Sequence, residues 1–92
     1  MPLARPKARR TGVTVVELDG EAVVYDRRSG VLHHLNAEAT LVYRACDGGT
    51  TIAEVAADIA DAVGEPVGRI EPDVRAAIRR LRRADLLEAS AR

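Results

Sequence analysis

The sequence predicts an α+β domain in which three antiparallel strands precede three helices, in the order βββααα. Three observations predict it. Two β-branched runs, Val13 to Leu18 and Glu21 to Tyr25, flank Asp19-Gly20, a pair suited to the positive φ angles of a type I′ hairpin turn. Helix-start residues recur at Asn36, Thr51 and Pro72. Between and after those starts, apolar residues fall at helical rather than alternating spacing. A chain of 92 residues has room for one small core and no second.

The elements follow in order. The third strand, Val31 to Leu35, comes after the turn-rich Asp26-Arg27-Arg28-Ser29-Gly30. A three-stranded sheet needs a helical layer to cover it. Asn36 caps the first helix through its side-chain oxygen. Leu41, Val42 and Ala45 form that helix's apolar stripe, and Asp47-Gly48-Gly49 stops it. Thr51 with Glu54 makes a capping box for the second helix, whose stripe is Ile52, Val55, Ala56, Ile59 and Val63 before Gly64 and Pro66. Pro72 is placed at the first position of the third helix, with Glu71 and Asp73 at its positive dipole end. Val74, Ala77, Ile78 and Leu81 are its buried stripe. Residues 1–12 carry Pro2, Pro6 and no periodicity, and are read as a flexible basic tail. The domain is then 13–88, with 89–92 a C-terminal tail.

Val, Ile and Leu number 11, 4 and 8, enough for an aliphatic core and too many for a disordered chain. With two Tyr and no Phe or Trp, the stacking platform of single-strand nucleic-acid binders is excluded. No apolar run reaches the ~18–20 residues of a membrane span. The cationic start is no export signal, because Val13-Thr14-Val15-Val16 is interrupted at once by Glu17. One cysteine, Cys46, leaves no internal disulfide, which points to a reducing cytoplasm. The zero net charge hides +4 over residues 1–12, −7 over 13–68 and +3 over 69–92. Such a chain suits an acidic partner at one face only.

Candidate chemistry is thin. His33 and His34 are adjacent on a strand and point to opposite faces, so they do not share a site, and a metal needs three or four ligands. Cys46 ends an apolar helix beside Asp47, which raises a thiol pKa and marks it as a small buried hydrophobe. Gly48-Gly49 belongs to no phosphate-loop fingerprint. The expectation is a protein that is not an enzyme, with no cofactor, no metal and no catalytic residue. The informative feature is the third helix, where Arg75, Arg79, Arg82 and Arg83 form a cationic stripe and Arg80 lies to the side. A solvated helix face is the plainest account of such a run. One functional alternative is a recognition helix in DNA, as in a small winged-helix regulator. Against it stand the Gly64 to Ile70 connection, longer than a usual ~3–4-residue turn, the acidic middle segment, and one Asn with no Gln to read adenine. The other is a wall for an acidic peptide, which would add a strand to an open sheet edge.

Several landmarks occur together: Val31-Leu32-His33-His34-Leu35-Asn36, then Asp47-Gly48, Thr51-Ile52-Ala53-Glu54-Val55, and Asp73-Val74 with Ile78, Leu81 and Leu86-Leu87. In that order they resemble the PqqD-like family, the RiPP recognition elements that bind leader peptides for modifying enzymes, from Val13 to Glu88. Two departures stand out: Asp85 replaces the Gly that usually precedes the closing Leu, and the N-terminal motif of the pyrroloquinoline quinone members is not evident. The Asp26-Arg27-Arg28-Ser29-Gly30 turn and the Leu-Asn strand end are also similar to stand-alone recognition proteins of lasso-peptide clusters. The resemblance implies a winged helix-turn-helix whose third strand and third helix form a groove. A precursor's leader docks there as an added antiparallel strand and is presented to a protease, cyclase or radical enzyme. Carried over by it are Val31, Leu32, His33 and His34 on the strand and Arg75, Arg79, Arg82 and Arg83 on the helix, with Val74 and Ile78 as core. On this reading a proline at His33 removes a ladder donor from the peptide. An unfilled edge also invites a homodimer or a domain swap.

Overall fold

The computed structural model describes residues 4–88. The strands are β1 (Val13–Leu18), β2 (Glu21–Asp26) and β3 (Val31–Leu35), and the helices are α1 (Ala37–Ala45), α2 (Ile52–Val63) and α3 (Val67–Arg83). The sheet is antiparallel in the order β1-β2-β3. Asp19 and Gly20 both take positive φ, 54° and 80°, as a type I′ turn requires. Alternation sends Val13, Ala22, Val24 and Leu35 into the core under the helices. It leaves Val16, Val23, Tyr25 and Leu32 on the other face of the sheet. βββααα is the observed order, an α+β fold.

The helix starts match their sequence signals. The Asn36 side chain accepts from the Ala39 N–H at 2.8 Å. Thr51 and Glu54 exchange both capping-box hydrogen bonds, at 3.2 and 2.8 Å. In α1 the buried face is Ala39, Thr40, Val42 and Tyr43, so it is rotated from the expected Leu41-Val42-Ala45 stripe. Tyr43 goes inside because its hydroxyl has a partner there, donating to the Arg9 carbonyl at 2.6 Å. Val63, expected on the buried stripe of α2, is exposed.

α3 departs from its expected start. It begins at Val67 with Pro66 as N-cap, and Pro72 lies inside it. The first turn closes through Pro66, whose carbonyl accepts from the Arg69 and Ile70 N–H groups at 3.0 and 3.3 Å. Ile70 is buried with Val74, Ala77, Ile78 and Leu81, one face at i, i+4, i+7, i+8 and i+11. That burial outweighs the hydrogen bond Pro72 cannot donate. The α2–α3 connection therefore shrinks to Gly64, Glu65 and Pro66, the length of an ordinary helix-turn-helix link. Loop length no longer counts against DNA. At the other end Asp85 takes φ 60°. Leu86 N–H donates to the Leu81 carbonyl and Asp85 N–H to that of Arg82, at 2.9 and 3.0 Å, a Schellman motif with Asp in the usual glycine position.

The flexible-tail expectation fails over Pro6 to Gly12, and the domain begins before Val13. Ala8 N–H donates to the Cys46 carbonyl and Arg9 N–H to the Leu86 carbonyl, at 2.9 and 2.8 Å. Lys7 pairs with Asp47 and Ala8 with Leu87 as β-bridges. Gly48, at φ 85°, leaves room for this arm, because a Cβ there would meet the Lys7 side chain at 3.0 Å. Arg9 is only 5 % exposed. It donates to both Asp26 carboxylate oxygens, at 3.0 and 3.2 Å, and to the Asp85 carbonyl at 2.7 Å. A basic residue in a proline-punctuated stretch gave no sign of a buried partner 17 residues away. The expected tail over 89–92 lies outside the described residues.

The Arg9 guanidinium holds the Asp26 carboxyl far below the usual carboxylate range. A carboxyl depressed in the fold stabilises it while ionised, and that contribution disappears as pH falls below the unfolded value. Asp47, through the Gly49 N–H, and Glu54, through the Thr51 N–H, are lowered too and act in the same direction. The thermal midpoint should thus hold level down to about pH 4 and drop below it. In Asp26→Asn the starting midpoint should be lower and the acid decline shallower. Thermal melts across this range check both.

Candidate functional site

The hydrogen-bond parity of the sheet fixes which groups of β3 are free. In a two-residue hairpin the closing pair, here Leu18 and Glu21, exchanges hydrogen bonds. The Arg27 N–H donating to the Gly12 carbonyl at 2.9 Å continues the same alternation. Glu21, Val23 and Tyr25 therefore face β1 with their N–H and C=O groups, and Ala22, Val24 and Asp26 face β3. Their partners in register are Leu35, His33 and Val31. The N–H and C=O groups of Leu32 and His34 are left pointing away from the sheet, along an edge with no strand partner among the described residues. The groups of His33, by contrast, are already used by Val24. A proline at His33 would break the sheet itself, so that position does not test a peptide ladder.

β3 and α3 do not pack on each other. Among the described residues α3 packs on α1 and α2, and β3 on β2 and α1. The gap between them is an open cleft of about 420 Å³. Its strand side is Leu32, His33, His34 and Leu35. Its helix side is Ala77, Arg80, Leu81 and Ala84, and Asn36, Ala39 and Leu86 close the floor. Ala39, Ala77, Leu81 and Leu86 are buried beneath it, and Ala84 is its partly exposed apolar residue on the helix side. Arg80 supplies the cation beside it.

The structure thus brings Leu32, His33 and His34 of the expected site together and leaves out the expected arginines. Arg75 donates to Glu71 at 2.8 and 3.0 Å. It shares a separate shallow depression with Arg79, Gly68, Glu71 and Pro72. Arg82 does not line the cleft either. Arg83 and Val31 do not line the cleft, although Arg83 lies one turn beyond Arg80 on the helix surface. The cleft arginine is Arg80, which the stripe at i, i+4, i+7 and i+8 passes over. Residues 77, 80, 81 and 84 also follow helical spacing, but only the packing of α3 on α1 and α2 decides which side of the buried stripe meets β3.

His34 is also bonded, through Nε2, to Glu21 Oε1 at 2.7 Å on the outer face of the sheet. Burial pushes the Cys46 thiol up to about 11, with the Asp47 charge adding to it. That thiol is packed in the core rather than poised as a nucleophile. No group of His, Cys, Asp and Glu among the described residues could hold a metal ion. No helix there is long and apolar enough to cross a membrane.

The family model for coenzyme PQQ synthesis protein D (PqqD) matches residues 21–87. The chain belongs to the PqqD family. Solved structures agree with the PqqD-family fold. One is described as TbiB1 in complex with the TbiA(beta) leader peptide. It is 23 % identical with a TM-score of 0.76, and the match covers 94 % of this chain and 99 % of that one. A second, a lasso peptide synthetase B1 complexed with the leader peptide, is 24 % identical at the same TM-score, covering 94 % and 100 %. No curated protein sequence matches the chain. None of these PqqD-family and structural matches is described as a nucleic-acid-binding protein.

Proposed function

We propose that this chain is a non-catalytic module that captures the leader segment of a ribosomally made precursor peptide along the open edge of β3 and presents it to a modifying enzyme. The observation that carries this reading is the pair of unpartnered N–H and C=O groups at Leu32 and His34, set beside a cleft walled by α3. An extended peptide pairing there completes the ladder, and side-chain pockets supply selectivity. Peptide residues directly opposite Leu32 and His34 place their side chains on the outer face, and the alternate residues point into the cleft. A small apolar side chain fits against the partly exposed Ala84, and an acidic one fits Arg80. Membership of the PqqD family and the fold shared with two leader-bound proteins support the same assignment. The partner enzyme belongs to the protease, cyclase or radical class, and the working compartment is the cytoplasm.

Titration with a fluorescein-labelled leader peptide from a precursor gene sought in the neighbourhood of this chain's own gene, read by anisotropy, tests the proposal. Saturable binding is expected. Arg80→Glu should weaken a leader with an acidic cleft-facing residue by about tenfold, whereas Arg75→Glu should change little. Ala84→Leu should fill the cleft and weaken binding with the thermal midpoint retained. Equal effects of the Arg80 and Arg75 variants would place the peptide elsewhere.

A further inference from the structure

The sheet has a second surface that the cleft does not use. On the face away from the helices, Val16 is 60 % exposed, Leu18 74 %, Leu32 65 % and Tyr25 40 %. These residues are neighbours across three paired strands. Their combined exposed area, on the order of 400–500 Å² and mostly side chain, is in the range of the largest patches of monomeric proteins, which are often functional. Charge is divided along it. Arg27, bonded to Thr14 at 2.6 Å, marks one end, and Asp19 and Glu21 mark the other.

We infer that this face, widened by the bound leader, is where the modifying enzyme docks. The inference rests on the proposed leader site. Leu32 belongs to both surfaces, since its backbone lies on the free edge and its side chain on the outer face. A leader strand added to β3 therefore becomes the fourth strand of this same face. It widens the face by about a third at the ~4.8 Å strand spacing, and every second leader side chain stands level with Leu32 and Tyr25. The bare patch falls short of the ~800 Å² per partner of a stable complex, which argues against a standing homodimer across it. The loaded face comes nearer to that size. An enzyme with an apolar contact, acidic at the end that meets Arg27 and basic at the end that meets Asp19 and Glu21, would bind the loaded module in preference to the empty one. Delivery is then gated by the substrate itself.

The probe is a peptide-modifying enzyme from the same gene neighbourhood as that precursor, purified and titrated with the full-length module with and without leader. Two variants on β1, the strand farthest from the leader edge, are V16D/L18D and the uncharged V16S/L18S. Both alter solvent-facing side chains, so the fold is retained. The expected result is enzyme affinity about tenfold higher with leader than without, and about tenfold lower in either variant, while leader affinity is unchanged. Equal docking by wild type and both variants, or equal docking with and without leader, would overturn the inference and leave the leader site standing. A wild-type dimer that the variants dissolve would assign the face to a second copy and also overturn it. Failure of the wild type to bind leader at all would remove both proposals together.

Discussion

His34→Pro is expected to leave the domain folded and to weaken leader binding by about tenfold to a hundredfold, the cost of a lost ladder bond and an orphaned peptide carbonyl. The His34 N–H points off the sheet, where proline is tolerated because no hydrogen bond of the fold is lost. The pyrrolidine ring, in place of that N–H, also stands in the path of the incoming strand. The exposed His34–Glu21 contact contributes little to stability. His33→Pro should behave in the opposite way. Its N–H serves Val24, so the substitution breaks the β2–β3 ladder and unfolds the domain before binding can be measured. Circular dichroism with leader titration separates the two. A folded His33→Pro that binds normally would refute the assigned hydrogen-bond parity.

Removal of residues 1–9 is expected to lower the thermal midpoint by ~15 °C or more, on a scale where each kcal/mol moves a domain of this size by about 4–8 °C. The arm supplies Ala8, which is buried, two β-bridges, the acceptor of the Tyr43 hydroxyl and the partner of the Asp26 carboxylate. Without it Asp26 is a buried carboxylate facing no cation, an arrangement more costly than either no charge or a full pair. Arg9→Met should reproduce much of the loss. Lys7→Met should not, because the Lys7–Glu88 contact is exposed and 4.0 Å long. A midpoint unchanged by the deletion would show the arm to be a true tail.

Signals that act within one turn of chain were legible in the sequence. Asp19-Gly20 gave its hairpin, Asn36 and Thr51 gave their helix starts, and Val31 to Leu35 gave the edge strand with its limits. What escaped depends on partners far away in the chain. Pro72 marked a helix start by local rule, yet Ile70 finds a buried place and draws the helix back to Val67. Arg9 was one cation among four until the fold placed it against Asp26. The arginine stripe was real as a pattern, but Arg75 is engaged by Glu71 and turned from the cleft, while Arg80 faces it. Strand alternation put His33 and His34 on opposite faces, and only the register with β2 showed that the free backbone groups belong to Leu32 and His34.

Amide hydrogen exchange, resolved residue by residue by NMR with and without saturating leader peptide, bears most directly on the edge of β3. In the free protein His33 should exchange slowly and Leu32 and His34 fast. On binding, Leu32 and His34 should become protected and His33 should change little. Protection that appears instead along β1, or around Arg75 and Arg79 on α3 with Leu32 and His34 still exchanging freely, would contradict capture of the peptide at this edge.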